Sequence, residues 1–468
     1  MADAAVAART ERAPLEKVRT AASLSLPLIA FFFIQSAVSI ASLAMVGRLG
    51  TTSIAGIGIG NAVLASAMSL LNGFDTAVQA FVARAVGAGL RDTAGRVLGE
   101  AQWISVPLGI ALSTLVLVEG HAFVAVVTSD QAVRMAATAF LSGAAPCLTF
   151  LAVTIPINAY WIGSGIPKLT FLVSIVVAPL QVAATWPLLF GFGAIPGLGL
   201  MGAGIAVSLA TLFGLALQLW LALRFRPIDG LHRYRPRPKE MGTIVSIGWP
   251  VSLQQCLLQS GMVIAFAIVS QIGVVAIALL NVLGALSLVP TQISTGLAVS
   301  TAPLVGQALG RGDPVAAKDW GWRMSLAGAV LVLPFGFVAL TAPSVLLAIF
   351  LASPHTLAEA IFPARLLGAG ISIDAIAMIL QFALRGAGAS KVATGIPFVL
   401  RFALRLPLMW IVGVKFHQGF NGIAEVALAT LVVETAALTF VWQRGGWTRL
   451  DPLGLRAPKA SAAGKVSV

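Results

Sequence analysis

Charge is the scarcest property of this chain. Only 10% of its 468 residues are Asp, Glu, Lys or Arg, against 58% apolar residues, and the mean hydropathy is +0.95. So little polar surface cannot clothe a soluble fold, which excludes a water-soluble globular enzyme, and the apolar content excludes disorder. Cysteine is almost missing. Cys147 and Cys256 each lie inside an apolar run, so a disulfide scaffold is excluded and both thiols read as small hydrophobes. The four histidines, His121, His232, His355 and His417, fall in loops or at the ends of apolar runs and suggest no metal-ligand cluster. There is no G-x-x-x-x-G-K-[ST] loop, no H-E-x-x-H, no paired C-x-x-C, and no aqueous domain large enough for a motor. ATP coupling within the chain is therefore excluded, no ATPase subunit or cofactor is implied, and an ion gradient becomes the natural energy source.

What the chain does contain is long apolar runs. Stretches of about 20 residues between charged or Gly/Pro punctuation give roughly twelve spans, beginning near Ser23, Thr52, Gln102, Val133, Leu169, Leu198, Thr243, Val274, Met324, Ala360, Val392 and Asn421. A net charge of +13 would suggest a nucleic-acid partner in a soluble protein; here it follows a topology, and the partner is the lipid bilayer. With the N-terminus placed in the cytoplasm, 24 of the 30 Lys and Arg residues fall on the inside. The exceptions are Arg48, Arg134, Arg365, Arg401, Arg405 and Lys415. The positive-inside rule then puts both termini in the cytoplasm of an inner (plasma) membrane protein. The first apolar run, Ser23 to Val46, is too long for the core of a cleavable signal peptide.

The basic, proline-bearing stretch 224–240 divides the chain into similar halves. The expected organisation is a cytoplasmic segment 1–22, an N-lobe 23–223, the linker 224–240, a C-lobe 241–443 and a cytoplasmic tail 444–468. At a constant offset of 223, Pro27 falls on Pro250, Gly50 on Gly273, Gly73 on Gly296, Gly87 on Gly310, Gly89 on Gly312, Gly163 on Gly386, Gly165 on Gly388 and Lys168 on Lys391. Six spans per half is an even number, so both copies enter from the same side and are related by an axis along the membrane normal. The fold class is an all-α integral membrane protein, two parallel six-helix lobes around a central cleft. That is the layout of an alternating-access transporter, here expected to be a monomer.

Short motifs occur in order along both halves. Leu26-Pro27 opens the first span, Val46-Gly47-Arg48-Leu49-Gly50 closes it, and Val82 to Gly89 follows the second. The second half carries Gly248-Trp249-Pro250, Val305 to Gly310, Leu384 to Gly388 and Arg405-Leu406-Pro407. In these motifs the chain resembles the multidrug and toxic compound extrusion (MATE) family of the MOP flippase superfamily, over roughly Leu24 to Gln443. The resemblance implies two lobes enclosing a cleft, and export of amphipathic, often cationic organic compounds in exchange for H⁺ or Na⁺.

Charges inside spans cost on the order of 2.5–3.5 kcal/mol on insertion scales, so each is a functional candidate. Asp374 lies in the tenth span, about 15 Å from its cytoplasmic end at 1.5 Å per residue, at a spacing from Leu384-Arg385-Gly386 that resembles the family's acidic residue. Met378 and Gln381 follow on its face. Asp75 lies at about 16 Å in the second span, flanked by Asn72 and Gln79. Either acid reads as a carrier of the coupling ion. The alternatives are a carboxylate neutralised by a neighbouring Arg, for Asp374, and an interhelical hydrogen-bond cluster, for Asp75.

The chain also departs from the family. Where members carry an Asp before V-G-R it has Ser42; in the fifth span Gln181 and Thr185 replace Asn and Asp; and the seventh-span Glu appears as Leu258, beside Gln259. The family's N-lobe cation site therefore does not carry over, leaving Asp75 as its substitute or Asp374 as the sole coupling acid. Gln35, Ser39 and Ser42 form a polar stripe, as do Ser252, Gln255 and Gln259, and each stripe reads as cleft lining or as helix-packing polarity. Arg401 and Arg405 share one face of the eleventh span. Arg405 reads as packing, and Glu434 in the twelfth span as the charge partner of Arg401, which would hold the acid ionised. Tyr160, Trp161, Trp186 and Trp410 read as interface anchors or as stacking surfaces for a cation.

The runner-up reading is a MOP-superfamily flippase for a lipid-linked or anionic substrate, which asks for a cleft lined by several Arg or Lys. A major-facilitator carrier would need Gly where Ala88 stands. An intramembrane enzyme or channel would need a nucleophile or metal cluster, or a ring of like charge, and none is visible.

Overall fold

The computed structural model describes residues 2–192, 196–224, 237–348, 350 and 354–450, the side chains of 2–15, 239, 240, 259, 260, 263, 274 and 354 excepted. The linker from 225 to 236 and the tail beyond 450 thus lie outside the described residues, as does the side chain of Gln259. The N-lobe comprises α1 (Ala2–Gly47), α2 (Thr51–Gly87), α3 (Arg91–Val127), α4 (Gln131–Ala144), α5 (Cys147–Gly163), α6 (Pro167–Phe190) and α7 (Gly199–Arg224). The C-lobe comprises α8 (Pro238–Ser270), α9 (Val274–Gly310), α10 (Pro314–Thr341), the short α11 (Pro343–Leu347), α12 (Pro354–Gly386), α13 (Ser390–Val399), α14 (Leu406–Trp410) and α15 (Gly419–Arg444). Among the described residues there is no strand.

Among the described residues ten segments are long and apolar enough to cross a bilayer, and the bent pair α4–α5 makes an eleventh. The 33-residue α8 packs mainly on α2. Two details differ from the sequence reading. The fourth span is two helices bent by 51°, because Pro146 at the junction has no N–H to continue the ladder. The first helix begins at Ala2, well before Ser23, since the Ala-, Arg- and Glu-rich segment ahead of the apolar run has high helix propensity and no breaker but Pro14.

The repeat is written into the turns. Six of the glycines with positive φ form three pairs at the offset of 223: Gly50 and Gly273 (104° and 144°), Gly89 and Gly312 (78° and 77°), Gly165 and Gly388 (82° and 77°). The last two pairs end helices in the same way. The amide after each glycine turns back to a carbonyl five residues earlier, as in Leu90 to Ala85 (2.8 Å), Asp313 to Ala308 (3.0 Å), Ile166 to Trp161 (2.8 Å) and Ala389 to Leu384 (2.9 Å). Left-handed geometry is needed for this cap, which is why Gly stands there.

The lobes meet along α2 and α9, with equivalents packed on equivalents. A Cβ on Gly306 would sit 2.8 Å from that of Ala83, and these two positions are each other's repeat partners, so the pseudo-two-fold axis passes between them. Around the axis, Gly87 abuts the backbone of Gln307 while Gly310 abuts that of Arg84, and Gly73 abuts Gly248 and Ser252 while Gly296 abuts Ile29. The first helix of each lobe crosses over: Leu24, with Ala21, packs in a C-lobe cluster with Leu297 and Met324, and Ile247, with Ile244, packs in an N-lobe cluster with Phe74 and Phe81.

The close approach of α2 to α9 lies toward one face, the one where α2, α9 and α15 end, while contacts such as Ser252 Oγ to Leu70 O (2.8 Å) and Gln292 Nε2 to Phe32 O (3.0 Å) continue the lobe boundary further along. From Thr76 to Ala85 every residue of α2 is buried, as is every residue of α9 from Ser300 to Gly306, whereas Asn61 and its repeat partner Gly284 are exposed. The two lobes therefore form a V that opens toward the opposite face.

Because the small residues set this approach, Gly87→Val should drive two methyl groups into the Gln307 backbone. We expect destabilisation by about 1–3 kcal/mol, read as a lowered Tm in detergent, whereas Gly58→Ala, with nothing within 4 Å of the added Cβ, should leave Tm unchanged.

Candidate functional site

The closed face is fastened by polar groups as well as by glycine. Arg84 on α2 donates to the carbonyl of Ala387 in the C-lobe and to that of Leu450, just beyond that lobe, at 2.9 Å. Its repeat partner Gln307 donates to the carbonyl of Gly163 in the N-lobe at 2.9 Å. Helix C-termini leave carbonyls without partners, and each lobe thus supplies the donor that caps the other. Lys17 adds a surface ion pair to Asp319 at 2.9 Å, and Gln79 donates to Val299 O at 3.2 Å. Gln79 is therefore buried at the lobe boundary rather than lining open space. The reading as polar stripes missed Arg84 and Gln307 as a pair; the offset between them was the signal.

Deeper in the C-lobe, α8, α9, α12, α14 and α15 line a partly open cavity of about 600 Å³. Asp374 lines it, together with Asn281, Thr291, Ser294 and Arg405, and much of the remainder is apolar, including Phe266, Met262 and Met409. Arg405, which the sequence suggested was a packing residue, thus faces the cavity. The reason lies in the local backbone. Pro407 has no N–H, so the ladder loosens into π-helical turns at Leu400–Arg405 and Ile411–Lys415 on either side of α14.

Arg401, one turn earlier, is bound to Glu434 by two hydrogen bonds, from Nε at 3.2 Å and Nη2 at 2.9 Å, with Glu434 only 3% exposed. The charged groups bearing on Asp374 are Arg401, Glu434 and Arg405. Among the described residues neither Asp374 nor Arg405 makes a hydrogen bond or an ion pair of its own.

In the N-lobe, Asp75 is partly buried on α2, with Asn72 one turn before it, and likewise has no hydrogen-bond or ion-pair partner among the described residues. The two acids are not repeat mates: the positions 223 away from Asp75 and Asp374 are Ala298 and Leu151. The remaining candidates disperse. Gln35 and Ser39 are exposed along α1, and Ser42, Gln181 and Gln255 are half-buried. Gln381 ties α12 to α13 by donating to Ala393 O at 3.0 Å. Met378 packs against the C-lobe core with Thr295 Oγ1 at 3.9 Å from its sulfur. Trp161 is buried, and Trp186 and Trp410 carry Arg48 and Lys415 over their rings at 5.2 and 5.1 Å. A second cavity, of about 570 Å³, lies where α3 meets α4, between His121 and Arg134, and contains none of these candidates.

The MatE family model matches residues 27–186 and again 250–411, starting at Pro27 and at Pro250, its repeat partner. The chain belongs to the MatE family. Among similar proteins, a probable multidrug resistance protein NorM of Rhizobium meliloti is 27% identical over 454 residues, covering 91% of this chain and 92% of that protein. One from Bradyrhizobium diazoefficiens is 24% identical over 412 residues, covering 86% and 87%. In fold, the chain superposes on the Vibrio cholerae MATE transporter VcmN in its bent form with a TM-score of 0.82 at 17% identity, covering 91% of this chain and 96% of that one. A MOP superfamily transporter from Pyrococcus furiosus, described by a reversed polarity of its binding pocket, gives 0.80 at 16% identity, covering 92% and 96%. This MatE protein is thus a multi-pass membrane transporter of the multidrug-efflux type, with a small-molecule substrate.

The Arg401–Glu434 pair yields a stability test. Glu434→Leu strands a guanidinium within a span and should cost about 3–5 kcal/mol, while adding Arg401→Met should restore most of that loss. Thermal unfolding of the single and double variants measures both effects.

Proposed function

We propose that this transporter exports amphipathic, cationic organic compounds in exchange for H⁺ or Na⁺ by alternating access, with Asp374 as the main ion-coupling carboxylate and Asp75 as its N-lobe counterpart. One observation supports this most: each lobe holds, at mid-span, an acid that makes no hydrogen bond or ion pair among the described residues, in a two-lobed frame whose second and ninth helices close tightly toward one face. An ionised carboxylate left alone at that depth is costly. Binding a proton, Na⁺ or the cation of a substrate removes the cost, and each of these excludes the others. Loading from the open face and discharge after the lobes rock would therefore exchange one for another across the bilayer.

The closed face carries Arg84, Arg91, Arg96, Lys168, Arg311, Lys318, Arg385, Lys391 and Arg444, so the positive-inside rule favours the cytoplasm for it and for both termini. The V then opens outward, the state in which substrate leaves and the coupling ion enters. The absence of N-lobe family acids at Ser42, Gln181 and Thr185 favours Asp374 as the principal site. The alternative of a flippase for lipid-linked anions asks for several cationic groups in the cleft, and the C-lobe cavity offers Arg405 alone.

In proteoliposomes under separately imposed pH and Na⁺ gradients, we expect Asp374→Asn to abolish gradient-driven efflux of a cationic dye and Asp75→Asn to reduce it. Full transport by both variants would overturn the assignment. Alternating access has its own test, in a background lacking Cys147 and Cys256. Bridging Lys17→Cys and Asp319→Cys, whose parent side chains meet at 2.9 Å, with a thiol-to-thiol reagent that carries an internal disulfide should lock the closed face and stop transport, and reductant should restore it.

A further inference from the structure

We propose that the C-lobe cavity binds dipolar organic ligands, with a carboxylate held by Arg405 and a cationic group held by Asp374. This rests on the export reading above and narrows its substrate class. The two arginines of the π-helical segment are four residues apart, yet their circumstances differ. Arg401 has both ends of its guanidinium fork on Glu434, whereas Arg405 lines the cavity and has no hydrogen-bond or ion-pair partner among the described residues. A guanidinium carries five donors in a planar fork suited to a carboxylate, and leaving it unpaired within a span is costly.

Asp374 lines the same space and bears on Arg405 electrostatically, yet forms no salt bridge with it, and Glu434 is already bound to Arg401. Opposite charges from two helical segments thus line one cavity without an ion pair between them, amid Phe266, Met262 and Met409. At about 600 Å³ the space suits a drug-sized molecule. A ligand with an apolar body, a carboxylate and a positive charge completes all three features; a simple cation leaves Arg405 unpaired.

Rhodamine B and its ethyl ester form a matched probe pair, the same aromatic cation with and without a free carboxylate. By fluorescence polarisation with the purified full chain, wild type should bind the acid about tenfold tighter than the ester, the worth of one charge-assisted contact. Arg405→Gln should erase that preference by weakening the acid alone, with retained ester binding reporting an intact pocket. Arg405→Lys should keep a reduced preference. Equal binding of the two dyes by wild type overturns the proposal, as does an undiminished preference in Arg405→Gln, or in Arg405→Lys should the Gln variant fold poorly. Efflux of the ester separates this from the parent reading. Gradient-driven ester export without acid preference would sink only the dipolar site, and acid preference without gradient-driven movement of either dye would sink only the export mechanism.

Discussion

The architecture depends on how closely two helices can approach. At Ala83 and Gly306 the α2 and α9 backbones come into near contact, and no larger side chain fits on the axis between them. In a bilayer there is no hydrophobic drive to associate helices, since lipid tails are as apolar as leucine; close van der Waals packing and carbonyl-directed hydrogen bonds have to do that work. Both occur along the half of α2 and α9 that ends at Gly87 and Gly310, where Gly73, Gly87, Gly296 and Gly310 admit the opposing backbone and where Arg84 and Gln307 cap the opposing lobe. Because the α2–α9 approach is tight only in that half, it holds the lobes together and leaves the other half of these two helices free to part.

On this near-symmetric frame the chemistry is asymmetric. Asp75 is on the second helix of its lobe and Asp374 on the fourth transmembrane segment of the other, and the repeat partner of each is apolar. The C-lobe also gathers three other charges around Asp374: Arg401 and Glu434 bind one another, while among the described residues Asp374 and Arg405 make no ion pair. The frame thus provides motion common to both halves, and the ionisable groups give each half a separate task.

Much of the frame was legible in the amino-acid order. Glycines that must adopt positive φ are fixed by backbone sterics alone, so the pairs at Gly89 and Gly312 or Gly165 and Gly388 betray the duplication without any knowledge of packing. The depth of Asp374 and Asp75 follows from rise per residue, and so does the pairing of Arg401 with Glu434. Which polar group is already satisfied was not legible. Gln79 and Gln381 look like cleft lining on a helical wheel, yet each is committed to a neighbouring carbonyl. Arg405 looks equivalent to Arg401, yet the π turns forced by Pro407 give the two different surroundings. Satisfaction depends on ångström-scale placement between helices far apart in the chain, and no local pattern encodes it.

The crossing of α1 and α8 reaches further than packing. With Leu24 seated among C-lobe residues and Ile247 among N-lobe ones, while Val46 and Val269 stay with their own lobes, each half lends the leading turns of its first helix to the other, as in a swapped homodimer. A single six-helix ancestor could have assembled with a second copy by this same exchange, two identical chains each completing its mate. Fusion of such a pair would have kept the rocking interface intact from the outset and released the two halves to acquire different acids afterwards.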